Sequence, residues 1–155
     1  MYNLITDISQ RCYDTATKRG KDTSCVGCLK YLRDELSEYW HAVDAGRITP
    51  DLKEVYPHTY ELSDDEFTVF YDSTVHNTTL DELADILITA ASWTHAAKLC
   101  EDKNSEPGRA VDYIMAKGAV RFVYEQIAAM STAVDVSDML AVIDLKMRYN
   151  KTRNE

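Results

Sequence analysis

The chain has 155 residues, enough for one domain whose hydrophobic core needs no disulfide staples. Its 26 acidic side chains outnumber its 17 basic ones, and a net charge of −9 argues against a grip on DNA or RNA, which demands clustered Lys and Arg. Five glycines and three prolines are too few for a many-turned β fold, so the expectation is all-α: an antiparallel bundle of about five helices forming a single domain over 1–155. The acidity suits a protein that meets phosphates through cations, although it also serves plain solubility. No apolar leader stands at the start, and no run approaches the ~20 apolar residues needed to span a bilayer. The expected compartment is the cytoplasm.

Over residues 3–19, Leu4, Ile5, Ile8, Cys12, Tyr13 and Ala16 recur at helical spacing. Gly20 supplies a stop behind Lys18 and Arg19. Ser24 is a natural N-cap for a second helix reaching about Ala45, with a seam of Leu29, Leu32, Leu36, Tyr39, Trp40 and Val43 and Gly46 as its end. Residues 46–78 are an irregular insertion. Pro50 and Pro57 interrupt it, and 67–71 is a β-prone run, which leaves a short helix, a hairpin or a lid as alternatives.

Thr79 with Glu82 reads as a capping box opening a third long helix to about Cys100. Its core positions are Leu80, Leu83, Ile86, Leu87, Ala90, Ala91 and Ala97. A loop follows over 101–108. A fourth helix over roughly 108–131 offers Val111, Ile114, Met115, Phe122, Val123, Ile127 and Met130 to the core. A fifth, capped by Asp135 or Ser137 and running to about Asn150, offers Met139, Leu140, Val142, Ile143 and Met147.

Two acidic pairs stand out. Glu35 and Glu38 are three residues apart on the second helix, and Glu82 and Asp85 repeat the spacing on the third. Each pair lies amid apolar residues, where carboxylates are costly unless paired or bound to a cation. An oxygen-only set suits Mg²⁺ or Mn²⁺. Surface acids on amphipathic helices would share the pattern. Glu38 and His41 form an ExxH, but a di-iron bundle needs two of these. Cys25 and Cys28 form a CxxC without the further ligands zinc would need, so packing is its expected role. Near the end, Lys146, Asn150 and Arg153 share a helix face and could hold phosphate oxygens and a sugar or base; a solvated basic tail is the plainer alternative.

These residues resemble the all-α NTP pyrophosphohydrolases, comprising MazG-like proteins and dimeric dUTPases. Their signature, E-E-x-x-E followed by E-x-x-D on the next long helix, reads here as Asp34-Glu35-x-x-Glu38 and Glu82-x-x-Asp85, with Asp at the first position. Ala16-x-x-x-Gly20 is similar to the family's opening, and Lys146-x-x-Tyr149-Asn150-x-x-Arg153 to its close. The interval between Glu38 and Glu82 is longer than in compact MazG modules, so the base-recognition region is the part least like the family.

The resemblance implies hydrolysis of a nucleoside triphosphate, canonical or non-canonical with dUTP as one candidate, to the monophosphate and pyrophosphate. It implies Mg²⁺ (or Mn²⁺) on Glu35, Glu38, Glu82 and Asp85, with Glu38 as general base. Lys146 and Arg153 would stabilise the departing pyrophosphate, and Asn150 would touch sugar or base. It further implies a homodimer or dimer of dimers. The alternative from another class is a non-catalytic helical interaction protein that keeps the fold.

Overall fold

The computed structural model describes residues 2–47, 59–104, 110–129 and 136–153. Among these the chain is all-helical, with six helices and no strand: α1 (Tyr2–Lys18), α2 (Cys25–Asp44), α3 (Asp64–Thr74), α4 (Thr79–Asn104), α5 (Ala110–Ala129) and α6 (Val136–Thr152). None is long and apolar enough to cross a membrane.

Local chemistry sets the boundaries. Ser24 caps α2, its hydroxyl accepting from the Gly27 N–H at 3.1 Å. Gly20 and Gly46 take φ of 73° and 64° behind α1 and α2, the left-handed conformation that lets a helix turn off. The helix α4 is the axis of the bundle and packs against α1, α2, α5 and α6. It is apolar nearly all round, as a central helix must be. Leu80, Leu83, Ile86 and Leu87 are buried, and Ala84, Ala90, Ala91, Ala96 and Ala97 let neighbours approach closely. Polar ties fix the packing: Trp93 Nε1 donates to Asp112 on α5 at 3.0 Å, and the Tyr39 hydroxyl of α2 donates to Gln126 of α5 at 2.8 Å.

A second, smaller core joins α3 to α6 through Phe67, Tyr71, Val75, Leu145 and Tyr149. Arg148 lies over the Phe67 ring at 4.2 Å and donates to the carbonyls of Thr59 and Leu62.

The helix α3 resolves the alternatives left open for 46–78: the run 67–71 is helical. Ser63 caps the helix by accepting from the Glu66 N–H and donates its hydroxyl to the Glu66 carboxylate, and Phe67, Tyr71 and Val75 then fall at i, i+4, i+8 on the buried face. Residues 48–58, with Pro50 and Pro57, lie outside the described residues, as do Met130 and Asp135.

Other expectations need correction. The helix α4 runs on to Asn104 and takes half of the anticipated loop. The hydroxyl at its start is that of Thr78, which meets the Asp81 N–H at 3.4 Å, so the N-cap anticipated at Thr79 is displaced by one residue. Leu29, Trp40 and Val43 are exposed rather than in the α2 seam, which keeps Tyr39, and Val111, Ile114 and Met115 are exposed on α5. The helix α5 is apolar on two faces, so periodicity alone cannot choose between them. The face that packs carries Ala116, Ala119, Val120, Val123 and Ile127, where small residues permit close approach to α4.

Candidate functional site

The second and fourth helices bring three acids together. One carboxylate oxygen from each of Glu35, Glu38 and Glu82 lies within 4.8 Å of the others. Glu82 is buried, Glu35 half-buried and Glu38 exposed. Glu35 Oε2 and Glu82 Oε2 are buried with no hydrogen-bond partner among the described residues. Burial, then repulsion from Asp85 and Glu38, pushes the Glu35 carboxyl up to about 9. Burial, then Asp85 and Asp81, pushes Glu82 to about 8.

Asp85 is placed differently. Its Oδ2 lies 2.9 Å from Lys146 Nζ, which also reaches Asp81 Oδ1 at 3.0 Å. Burial raises Asp85 to about 6 against the pull of Lys146. Burial works against the Lys146 charge, but Asp85 and Asp81 outweigh it and carry the ammonium above its ordinary value. The four acids predicted from the sequence therefore share one cleft, in which three are clustered and the fourth is tied to the lysine that was itself predicted as a substrate contact.

The cleft is open and measures ≈ 320 Å³. Its acidic side is Glu35, Glu38, Glu82 and Asp85; lining the cleft with them are Lys146 and Asn150 from α6, Arg153 just after it, and Arg19 and Lys21 after α1. Lys146 and Asn150 are buried rather than in a solvated tail. The Tyr149 ring backs the basic side, with Lys146 Nζ 5.7 Å and the Arg153 guanidinium 5.2 Å from its centroid. A narrow recess of ≈ 40 Å³ continues inward past Glu35, Asp85 and Asn150, lined by Ala16, Tyr31, Ile88 and Met147, with room for a few water-sized groups. Ser92 lines it too; its Oγ is buried and has no partner among the described residues.

Sequence reasoning passed over Asp81, His76, Arg19 and Lys21. Asp81 is fully buried and accepts from the Tyr71 hydroxyl, Lys146 Nζ and the Asn77 N–H, the last at 2.9 Å. From the sequence it is one more acid in a helical first turn, and only the packing of α3 and α6 around it gives it a role.

The oxygen cluster fits a divalent cation. Unpartnered buried carboxylate oxygens need either protons or a metal, and an all-oxygen set matches Mg²⁺ or Mn²⁺. His41 is exposed and outside the cluster, which removes the support for a di-iron reading. Cys25 and Cys28 pack into the main core, and burial pushes the Cys28 thiol up to about 12, which keeps it unreactive. Comparison with protein-family models, with curated proteins and with solved structures finds no match to this chain.

Proposed function

We propose that this protein hydrolyses a nucleoside triphosphate to the monophosphate and pyrophosphate with Mg²⁺ (or Mn²⁺) as cofactor, as the resemblance to MazG-like proteins and dimeric dUTPases implies. The observation that carries the proposal is the pairing of walls in one cleft: clustered glutamates with orphaned oxygens on one side, and Lys146, Asn150 and Arg153 on the other.

Glu35, Glu38 and Glu82 would hold the metal, with Asp85 beside them at the Lys146 edge. Bound there, the cation offsets phosphate charge and acidifies water. Glu38, the exposed member of the cluster, is the proposed base that takes a proton from the attacking water. Lys146, locked between Asp81 and Asp85, presents a fixed positive charge, and Arg153 supplies a second at the rim; both oppose charge on the departing pyrophosphate. Asn150 stands where the cleft meets the inner recess and would orient the nucleoside.

The test is a turnover panel of the eight common (d)NTPs plus damaged nucleotides, with and without Mg²⁺. Release of pyrophosphate that stops on chelation supports the reading, and silence across the panel ends it. The proposed assembly is a homodimer or dimer of dimers, supported by the apolar Val111, Ile114, Met115 and Tyr124 left exposed on α5. A monomeric mass by light scattering at micromolar concentration would overturn that part alone. The rival reading, a helical interaction protein without turnover, gains no specific support in the cleft.

A further inference from the structure

The turn between α3 and α4 places a histidine in the cleft for which the proposed mechanism has no use. His76 follows Val75 at the end of α3, and its N–H donates to the Tyr71 carbonyl at 2.9 Å. The next residue, Asn77, has a φ of 64°, uncommon for a side-chain-bearing residue, and its N–H binds Asp81 Oδ2 at 2.9 Å. That same oxygen lies 3.4 Å from His76 Nδ1. The Nδ1 atom is buried and makes no hydrogen bond among the described residues, so its approach to Asp81 is a charge contact of the protonated ring, while a quarter of the side chain remains exposed to the cleft. His76 lines the cleft together with Lys146 and Arg153, and its ring centroid is 5.4 Å from that of Tyr149, the ring on which both cations also rest.

The buried carboxylate of Asp81 therefore lies between two nitrogen-bearing side chains. Oδ1 holds Lys146, and Oδ2 faces His76. Both side chains belong to the wall opposite the glutamates, and His76 completes an arc of three nitrogen-bearing groups around one aromatic ring. A neutral ring with its proton on Nδ1 would offer Nε2 only as an acceptor; the imidazolium, favoured by a carboxylate and a phosphate on either side, carries a proton on both nitrogens and donates from Nε2.

On the reading of this cleft as a phosphate site, we propose that His76, as the imidazolium, is a third oxyanion contact, donating from Nε2 to a non-bridging oxygen of the phosphate chain beside Lys146 and Arg153. Asp81 acts through it as a positioning residue.

The probe is inorganic pyrophosphate with Mg²⁺, titrated by calorimetry into wild type, His76→Phe and His76→Gln. Phe keeps a ring against Tyr149 and removes the donor, whereas Gln keeps a donor. Affinity about tenfold weaker in the Phe variant, with most of it restored in Gln, is the expected result, since a hydrogen bond to a charged group is worth about that much. Where turnover is measurable, the same ratio should appear in KM more than in kcat. Circular dichroism melts monitor the fold; if Phe unfolds the chain, Leu replaces it with the same two outcomes. Equal affinity in wild type and the donor-free variant overturns the inference, as does an equal loss in both variants or a wild type that binds no pyrophosphate. A wild type that binds pyrophosphate but hydrolyses no nucleotide sinks the proposed function and leaves the His76 measurement readable.

Discussion

The acids at the start of α4 form two groups that differ in what faces them. Asp81 and Asp85 share a buried lysine: one ammonium spans both carboxylates at 3.0 and 2.9 Å. Glu82, one residue beyond Asp81, looks the other way, toward Glu35 and Glu38 of α2, and no cationic side chain enters that cluster within ion-pair distance among the described residues. The contrast shows in their protonation. Burial pushes Asp81 up, but His76, Lys146 and Tyr71 beside it outweigh burial and hold it below its ordinary value, whereas Glu35 and Glu82 are pushed up to about 9 and 8. An acid that brings its own cation is a clamp. An acid cluster without one waits for a proton or for a cation from solution.

The sharpest way to break the comparison is to remove one member of each group. Replacing Glu38 by Gln or Asp85 by Asn should cut Mg²⁺-dependent pyrophosphate release by about 100-fold or more, the usual scale for losing a general base or metal ligand. Steady-state rates near wild type in both variants would mean that the cluster is ornamental.

Lys146→Met should act on stability as well as on turnover. It leaves Asp81 and Asp85 facing each other without their shared cation, and breaking a buried pair by deleting one partner costs about 3–5 kcal/mol. Urea unfolding measures this; a change below about 1 kcal/mol would show that the lysine does not hold the two acids.

The glutamate cluster predicts a pH dependence of definite sign. Glu35 and Glu82 ionise near 4.5 in the unfolded chain and at about 9 and 8 when folded. Above 4.5 the unfolded chain therefore binds fewer protons than the native one, and stability falls with rising pH until the folded groups have also ionised. The metal-free protein should lose Tm steadily from about pH 5 to 9. Saturating Mg²⁺ should oppose the loss, because a ligand bound only by the native state stabilises it. Glu35→Gln should flatten the slope. A Tm that stays level across this range without metal contradicts the protonation picture.

The smallest effect lies away from the cleft. Ser63→Ala removes the cap of α3 and should cost about 1 kcal/mol while leaving Mg²⁺ binding intact. A larger loss would mean that α3, which supplies Tyr71 to Asp81, depends on its cap more than on Phe67 and Val75.

The main helices were legible because their apolar spacing is regular and their stops are marked, by Ser24 before α2 and by Gly20 and Gly46 at positive φ. The third helix was hidden by β-prone residues at 67–71, although Ser63 and Glu66 carry its start signal; capping and the i, i+4 burial of Phe67 and Tyr71 outweighed local propensity. The outward turn of Val111 and Ile114 could not be read at all, because a helix with two apolar faces does not say which one the neighbours cover.

For the cleft the division is similar. Spacing alone put Glu35 with Glu38 and Glu82 with Asp85 on common helix faces, and Lys146, Asn150 and Arg153 on another, because side chains three and four residues apart must be neighbours on a helix. Only the tertiary structure decided which acids meet each other and which meet the lysine. That outcome depends on how α2 and α6 pack around α4, and on the α3–α4 turn that brings His76 to Asp81. Periodicity along one helix carries no information about the face its neighbour presents, and here that face separates a clamp from a cluster left open.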